Sequence, residues 1–172
     1  MSSAHPPASR RGDEPSGAPK DPLHGDAARS PAGAASLTRR VAFAAAHRYR
    51  RPEWDDARNA AAFGLSAREN YHGHSYTCHV TVSDGIDPST GMVVDLGRLD
   101  RALAAEIVDR FDHRTINLDV PEFAEGRLVP TGENLARFIC ERVQAALGSR
   151  PRVIEVRVSE DASLSSAYRP HP

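Results

Sequence analysis

The stretch Asn70-Tyr71-His72-Gly73-His74-Ser75-Tyr76, continuing through Thr77-Cys78-His79-Val80-Thr81-Val82, decides how this chain is read. Tyr76, Cys78, Val80 and Val82 fall on one parity, and Ser75, Thr77, His79 and Thr81 on the other. Side chains on a strand alternate faces, so this pattern predicts a strand with one apolar face. On that register His72 and His74 share the apolar face. Two imidazoles at the mouth of such a face are poor core filler and a reasonable half of a metal site. His79 has the outward parity and is left out of the site.

Working upstream, residues 38–49 read as a neighbouring strand in which Val41, Phe43, Ala45 and His47 share a parity. His47 ends that inward face much as His74 begins the other, so it is the candidate third ligand. A lone histidine is more often a hydrogen-bonded core or surface residue. Three at inward strand ends favour a metal, because zinc with three protein ligands keeps a position open for chemistry.

Between these strands, residues 50–69 are polar and broken by Pro52 and Gly64. They predict a long loop carrying a short helix near 53–63, and loops of that length in small domains are usually functional. Beyond the second strand, Asp84-Gly85 and Asp87-Pro88-Ser89-Thr90-Gly91 are turn chemistry, and Met92-Val93-Val94 is a short extended piece. Asp95 suits a helix N-cap, followed by Leu96, Leu99, Leu103, Ile107 and Phe111 at helical spacing. Residues 112–130 read as irregular. Thr131 caps a second helix with the stripe Leu135, Phe138, Ile139, Val143 and Leu147, stopped by Gly148 and Pro151. A strand from Val153 to Glu160, with Ile154, Val156, Val158 and Glu160 on one parity, and a last strand near 166–169 complete the order ββααββ. That order predicts an α+β fold, a four-stranded antiparallel sheet with both helices on one face.

Residues 1–36 hold six of the thirteen prolines and no Val, Ile, Phe, Tyr or Trp. Such a segment cannot bury enough apolar surface to offset its ordering entropy, so a disordered tail is expected there, with the domain spanning 37–172. The 172 residues suit one domain with a real core. A net charge of −1 gives no field pointing to nucleic acid or an anionic membrane. Two cysteines, Cys78 and Cys140, make no disulfide framework and read as core thiols. No apolar run is long enough to span a bilayer and no signal-peptide core is present, so a cytoplasmic protein is expected.

Four further residues carry possible chemistry. Asp112 beside His113 can orient an imidazole, although adjacent Asp-His pairs are common in loops. Glu160 stands alone on an apolar strand face and needs a partner, either a cationic side chain or a ligand with N–H donors. Glu133 lies in a helix first turn, where a carboxylate suits the dipole. Trp54 serves to pin the polar loop.

The chain resembles the 6-pyruvoyltetrahydropterin synthases and their bacterial relatives, the 6-carboxytetrahydropterin synthases. The segments are Arg40-Val41-Ala42-Phe43-Ala44-Ala45-Ala46-His47-Arg48, Phe63-Gly64, His72-Gly73-His74-Ser75-Tyr76, Ile86-Asp87-Pro88-Ser89-Thr90-Gly91-Met92, Asp112-His113-Arg114-Thr115-Ile116-Asn117, Pro130-Thr131-Gly132-Glu133-Asn134 and Val158-Ser159-Glu160. The resemblance implies a tunnelling fold whose subunits close into a barrel and stack as a homohexamer, with sites at subunit interfaces. It implies Zn2+ on His47, His72 and His74, a catalytic pair Asp112 and His113, and Glu160, with Glu133, as contacts to the pterin ring. The implied substrate is 7,8-dihydroneopterin triphosphate.

One departure matters. Where pyruvoyl-forming enzymes carry a cysteine after Phe-Gly, this chain has Ser66, and a neutral serine is a far poorer base than a thiolate. Arg68 stands where the carboxy-type enzymes place theirs. Glu69, in Arg68-Glu69-Asn70-Tyr71-His72-Gly73-His74, resembles the branch in which a glutamate replaces the cysteine; a solvated loop residue is the plainer alternative. Three products are therefore open: 6-carboxytetrahydropterin toward deazaguanine nucleosides such as queuosine, 6-pyruvoyltetrahydropterin, or 6-hydroxymethyl-dihydropterin toward folate. The reading from another class is a non-enzymatic pterin- or zinc-binding homologue that lost the cysteine.

Overall fold

A computed structural model describes residues 33–171. Strand β1 (Ala35–His47) pairs antiparallel with β2 (His72–Asp84) along its whole length, from Ala35↔Asp84 to His47↔His72. β1 begins at Ala35, two residues before the expected start of the domain; the rest of the expected tail lies outside the described residues apart from Gly33 and Ala34. Between the two strands lie helix α1 (Asp56–Phe63), capped by the Asp55 carboxylate on the Arg58 N–H, and a 3-10 turn at Gly64–Ala67. Trp54 pins this connection as expected, stacking on Phe63 with the Arg58 guanidinium 4.2 Å from the centre of its ring.

The Met92-Val93-Val94 piece is not one of the strands among the described residues. Asp95 caps α2 (Leu96–Leu103) through the Arg98 N–H. The helix then widens into a π-helical stretch, Ala104–Val108, and closes with α3 (Asp109–Phe111). Thr131 caps α5 (Gly132–Leu147) through the Asn134 N–H. Leu99, Leu103, Ile107 and Phe111 from the first helical run, and Leu135, Ile139, Val143 and Leu147 from α5, bury against Phe43, Tyr76, Cys78, Val80 and Val82 on the sheet. Both helices therefore cover one face, as the apolar stripes predicted.

The sheet departs from four antiparallel strands. Its order is β3-β1-β2-β4-β5, with β4 at Arg152–Ser159 and β5 at Ser165–Tyr168. The extra strand, β3 (Arg114–Thr115), runs parallel to β1 opposite Ala45 and Ala46. It forms because His113, at φ 57, turns the chain back along the β1 edge. Two residues carry no periodicity, so the irregular reading of 112–130 could not contain it, nor the single turn α4 (Ile116–Asp119) and the 3-10 turn Pro121–Phe123. A second correction concerns Ile154. A bulge between Thr81 and Val82 shifts the β2–β4 register, which buries Val153 and leaves Ile154 41 % exposed, off the face it was assigned to.

No helix among the described residues is long and apolar enough to cross a membrane.

Candidate metal centre and its carboxylate

The β1–β2 register sets His47 against His72 and Ala45 against His74, so all three imidazoles leave the same end of the inward face. One nitrogen from each lies within 4.8 Å of the other two. His47 is fully buried, with ring centroids of His72 and His74 at 4.7 and 5.0 Å. Its Nδ1 is 3.0 Å from the Pro130 carbonyl oxygen. A carbonyl can only accept, so Nδ1 carries the proton and Nε2 keeps a bare lone pair, the usual way a ligating histidine is oriented. The Tyr76 hydroxyl also lies 3.0 Å from that Nδ1.

Burial, and then the neighbouring charges His72 and His74 would carry, push the His47 imidazole down to about 3. His72 is lowered as well, by burial and then by His74, with Glu160 opposing. Both are therefore neutral near pH 7, the form that binds metal. The His74 Nε2 atom is buried with no hydrogen-bond partner and stands 3.8 Å from Glu160 Oε2. An orphaned nitrogen among three converging imidazoles fits a divalent transition metal with nitrogen ligands. Among the described residues nothing else satisfies that atom.

Glu160 follows the last residue of β4 and is 7 % exposed. Its Oε1 accepts a 2.9 Å hydrogen bond from the Tyr49 hydroxyl. Burial, then the Glu160 charge, raises the Tyr49 phenol well above its ordinary value, so it stays a donor. Gly132, the first residue of α5, lies beside this carboxylate and makes room for Ser166: a Cβ there would sit at an ordinary 3.7 Å from Glu160 Oε1 but only 2.7 Å from Ser166 Oγ. Glu133 is the next residue and is exposed, near enough to Tyr49 for its charge to be felt. Tyr49 was missed in the sequence, although it continues the Val41-Phe43-Ala45-His47 parity by one more step.

The other expected residues are not gathered here within one chain. Asp112 Oδ1 accepts the Ala44 N–H at 2.8 Å, and its Oδ2 is 3.0 Å from His113 Nδ1. That first hydrogen bond, with His113, holds the Asp112 carboxyl below its usual range. His113 donates its own N–H to the Ala44 carbonyl at 2.6 Å and leaves its side chain 84 % exposed. Ala44 lies three residues before His47, a displacement of about 10 Å along the strand. The pair thus sits on the β1 edge, where His113 lines an open groove with residues 44–46 and 73–75. Ser66 is half-buried, its carbonyl accepting the Tyr49 N–H at 2.8 Å. Glu69 is exposed, and its carbonyl accepts from Arg48 Nη1 at 3.0 Å. Arg48 also pairs with Glu125 and lies over the Tyr71 ring, so it ties this segment down.

Comparison with known proteins extends over nearly all of the described chain. The family model described as "6-pyruvoyl tetrahydropterin synthase" matches residues 36–171. A Drosophila melanogaster protein named 6-pyruvoyl tetrahydrobiopterin synthase is 37 % identical over 139 residues, covering 80 % of this chain and 82 % of its own length. The Homo sapiens protein of the same name is 39 % identical over 113 residues, covering 66 % and 77 %. The solved structure of the Caenorhabditis elegans 6-pyruvoyl tetrahydropterin synthase superposes with a TM-score of 0.75 at 31 % identity, over 81 % of this chain and 97 % of that one.

Proposed function

We propose that this chain, which belongs to the 6-pyruvoyl tetrahydropterin synthase family, is a zinc-dependent lyase acting on the side chain of 7,8-dihydroneopterin triphosphate. The observation that carries this reading is the convergence of His47, His72 and His74 within 4.8 Å, with the Glu160 carboxylate beside them. Zinc held by the three imidazoles would supply a Lewis acid for the side-chain hydroxyls. Glu160 accepts the N–H donors of the aminopyrimidine edge, a paired contact that rejects rings lacking those donors. Asp112 fixes the His113 tautomer by taking its Nδ1–H, which leaves Nε2 to carry a proton to or from the side chain. Because that pair lies on the β1 edge, it serves the site of a neighbouring subunit. The edge strand β5, and the length of β1 that the two-residue β3 leaves uncovered, offer edges to pair when subunits close into the barrel of a homohexamer.

The base comes from residues 66–69. The names of the fly and human relatives favour triphosphate elimination to a 6-pyruvoyl product, with Ser66 where a thiolate is expected. Glu69 favours cleavage to 6-hydroxymethyl-dihydropterin, because a carboxylate of tuned pKa is a competent base where an unactivated serine is not.

Zinc-loaded protein incubated with 7,8-dihydroneopterin triphosphate should yield a 6-substituted pterin identifiable by mass, and that mass decides among pyruvoyl, carboxy and hydroxymethyl products. Glu69→Gln should abolish product and Ser66→Ala should not. Turnover no higher than that of a His72→Ala control would leave a pterin- or zinc-binding homologue in place of an enzyme.

A further inference from the structure

Glu160 can serve as a ring anchor only if its carboxylate plane is held, since a glutamate at a strand end has three rotatable bonds. The residue that holds it is unusual in its position. Tyr49 lies two residues past the ligand His47, on the continuation of β1, and reaches Glu160 across 111 positions of sequence. Its ring packs edge-on against His47 at 4.9 Å and against Phe63 at 5.9 Å, so the phenol has little freedom. Its hydroxyl donates to Oε1 at 2.9 Å, while Oε2 remains turned toward His74 at 3.8 Å. The same residue's backbone N–H bonds to the Ser66 carbonyl at 2.8 Å. One residue therefore touches the ligand His47, the carboxylate Glu160 and the segment that carries the candidate bases.

We infer that Tyr49 is a positioning residue that sets the Glu160 carboxylate for a pterin ring, and so tunes affinity for that ring. The inference rests on the reading of Glu160 as the ring anchor. The Tyr49 hydroxyl fixes the side-chain torsions of Glu160 before the ligand arrives, so the ring's N–H donors meet an oriented pair of oxygens. Each carboxylate oxygen has two acceptor sites, so Oε1 can serve both the phenol and a ring donor. A hydrogen bond to a charged group is also among the stronger ones, which makes its loss measurable.

The test is equilibrium binding of neopterin, followed by its own fluorescence, to the zinc-loaded protein and to Tyr49→Phe, Glu160→Gln and the double variant. Phenylalanine keeps the ring packing against His47 and Phe63, and zinc content and the urea midpoint check that the site survives. Tyr49→Phe should weaken neopterin binding about tenfold. In the Glu160→Gln background the same change should cost almost nothing, because the group it positions is gone. In turnover the Tyr49→Phe loss should fall on KM rather than kcat. Wild-type affinity in Tyr49→Phe, with weakened binding in Glu160→Gln, would overturn the inference while leaving the anchor intact. Full additivity of the two changes would also overturn it. Unchanged binding in Glu160→Gln would remove the anchor itself and the inference with it.

Discussion

The metal-free protein should be acid-sensitive chiefly through His47, with His72 adding in the same direction. In the unfolded chain the His47 imidazole takes a proton near 6.5, and in the fold burial and its two histidine neighbours hold it off until about 3. Between those values the unfolded state binds more protons than the native state, so stability falls as pH falls; above about 7 the residue contributes no slope. At pH 5 the unfolded imidazole is about 97 % protonated and the folded one about 1 %, which lowers stability by about 2 kcal/mol relative to pH 7.5. For a domain of this size that is about 6 °C in Tm. The assay is urea unfolding of chelator-treated protein at pH 7.5 and 5.0, at one fixed protein concentration, beside His47→Gln, which keeps a side-chain donor for the Pro130 carbonyl. Wild type should lose about 2 kcal/mol more than the variant over that interval. Parallel losses in the two proteins would refute the argument, because a buried neutral imidazole would then not be the group that titrates. Restoring zinc at pH 7.5 should raise the midpoint of wild type and not that of the variant, since only the three-imidazole site binds the native state tightly.

Three other outcomes follow from the geometry. His113 sits at φ 57, so His113→Gly should keep stability or raise it by up to about 1 kcal/mol in urea unfolding, while product formation falls at least about 100-fold; unchanged turnover would remove His113 from the chemistry. Gly132→Ala would place a Cβ 2.7 Å from Ser166 Oγ and 3.1 Å from its Cβ, so β5 must shift and stability should drop by about 1–3 kcal/mol; a loss within experimental error would mean that the contact is slack. Burial pushes the Cys78 thiol up to about 12 and the Cys140 thiol up to about 11, so a thiol reagent at pH 8 should label neither in the native protein and both in urea.

What could be read from the chain, and what could not, divides along a physical line. The three-histidine cluster was legible because strand alternation is a strict rule: once Tyr76, Cys78, Val80 and Val82 face inward, His72 and His74 must do so too, and His47 follows on the partner strand. Asp95 and Thr131 were legible as caps because the hydrogen bond that makes a cap is local to three residues. Ile154 was misplaced because a bulge breaks the alternation without leaving a mark in residue type, and β3 went unseen because two residues have no period. The π-helical stretch at Ala104–Val108 was hidden for a similar reason, since the apolar spacing through Leu103, Ile107 and Phe111 is compatible with an ordinary helix.

The segment from Ser66 to Glu69 belongs to a different class of difficulty. It has no period and no apolar face, and its 3-10 turn ends at Ala67. Its position is set by contacts from the end of β1: the Tyr49 N–H on the Ser66 carbonyl, and Arg48 on the Glu69 carbonyl. Both contacts use backbone acceptors, so they hold the chain path whatever side chains stand at 66 and 69. Arg48 and Tyr49 can therefore hold the path of the segment while its side chains vary, and a change of base need not disturb the frame. If that is so, Ser66→Cys should be tolerated by the fold, with a urea midpoint close to wild type. It should also shift the product of 7,8-dihydroneopterin triphosphate toward the pyruvoyl compound, since a thiolate is the stronger nucleophile and base at that place. A Ser66→Cys protein that folds and gives an unaltered product mass would show that the residue at 66 does not reach the substrate, and would leave Glu69 as the base.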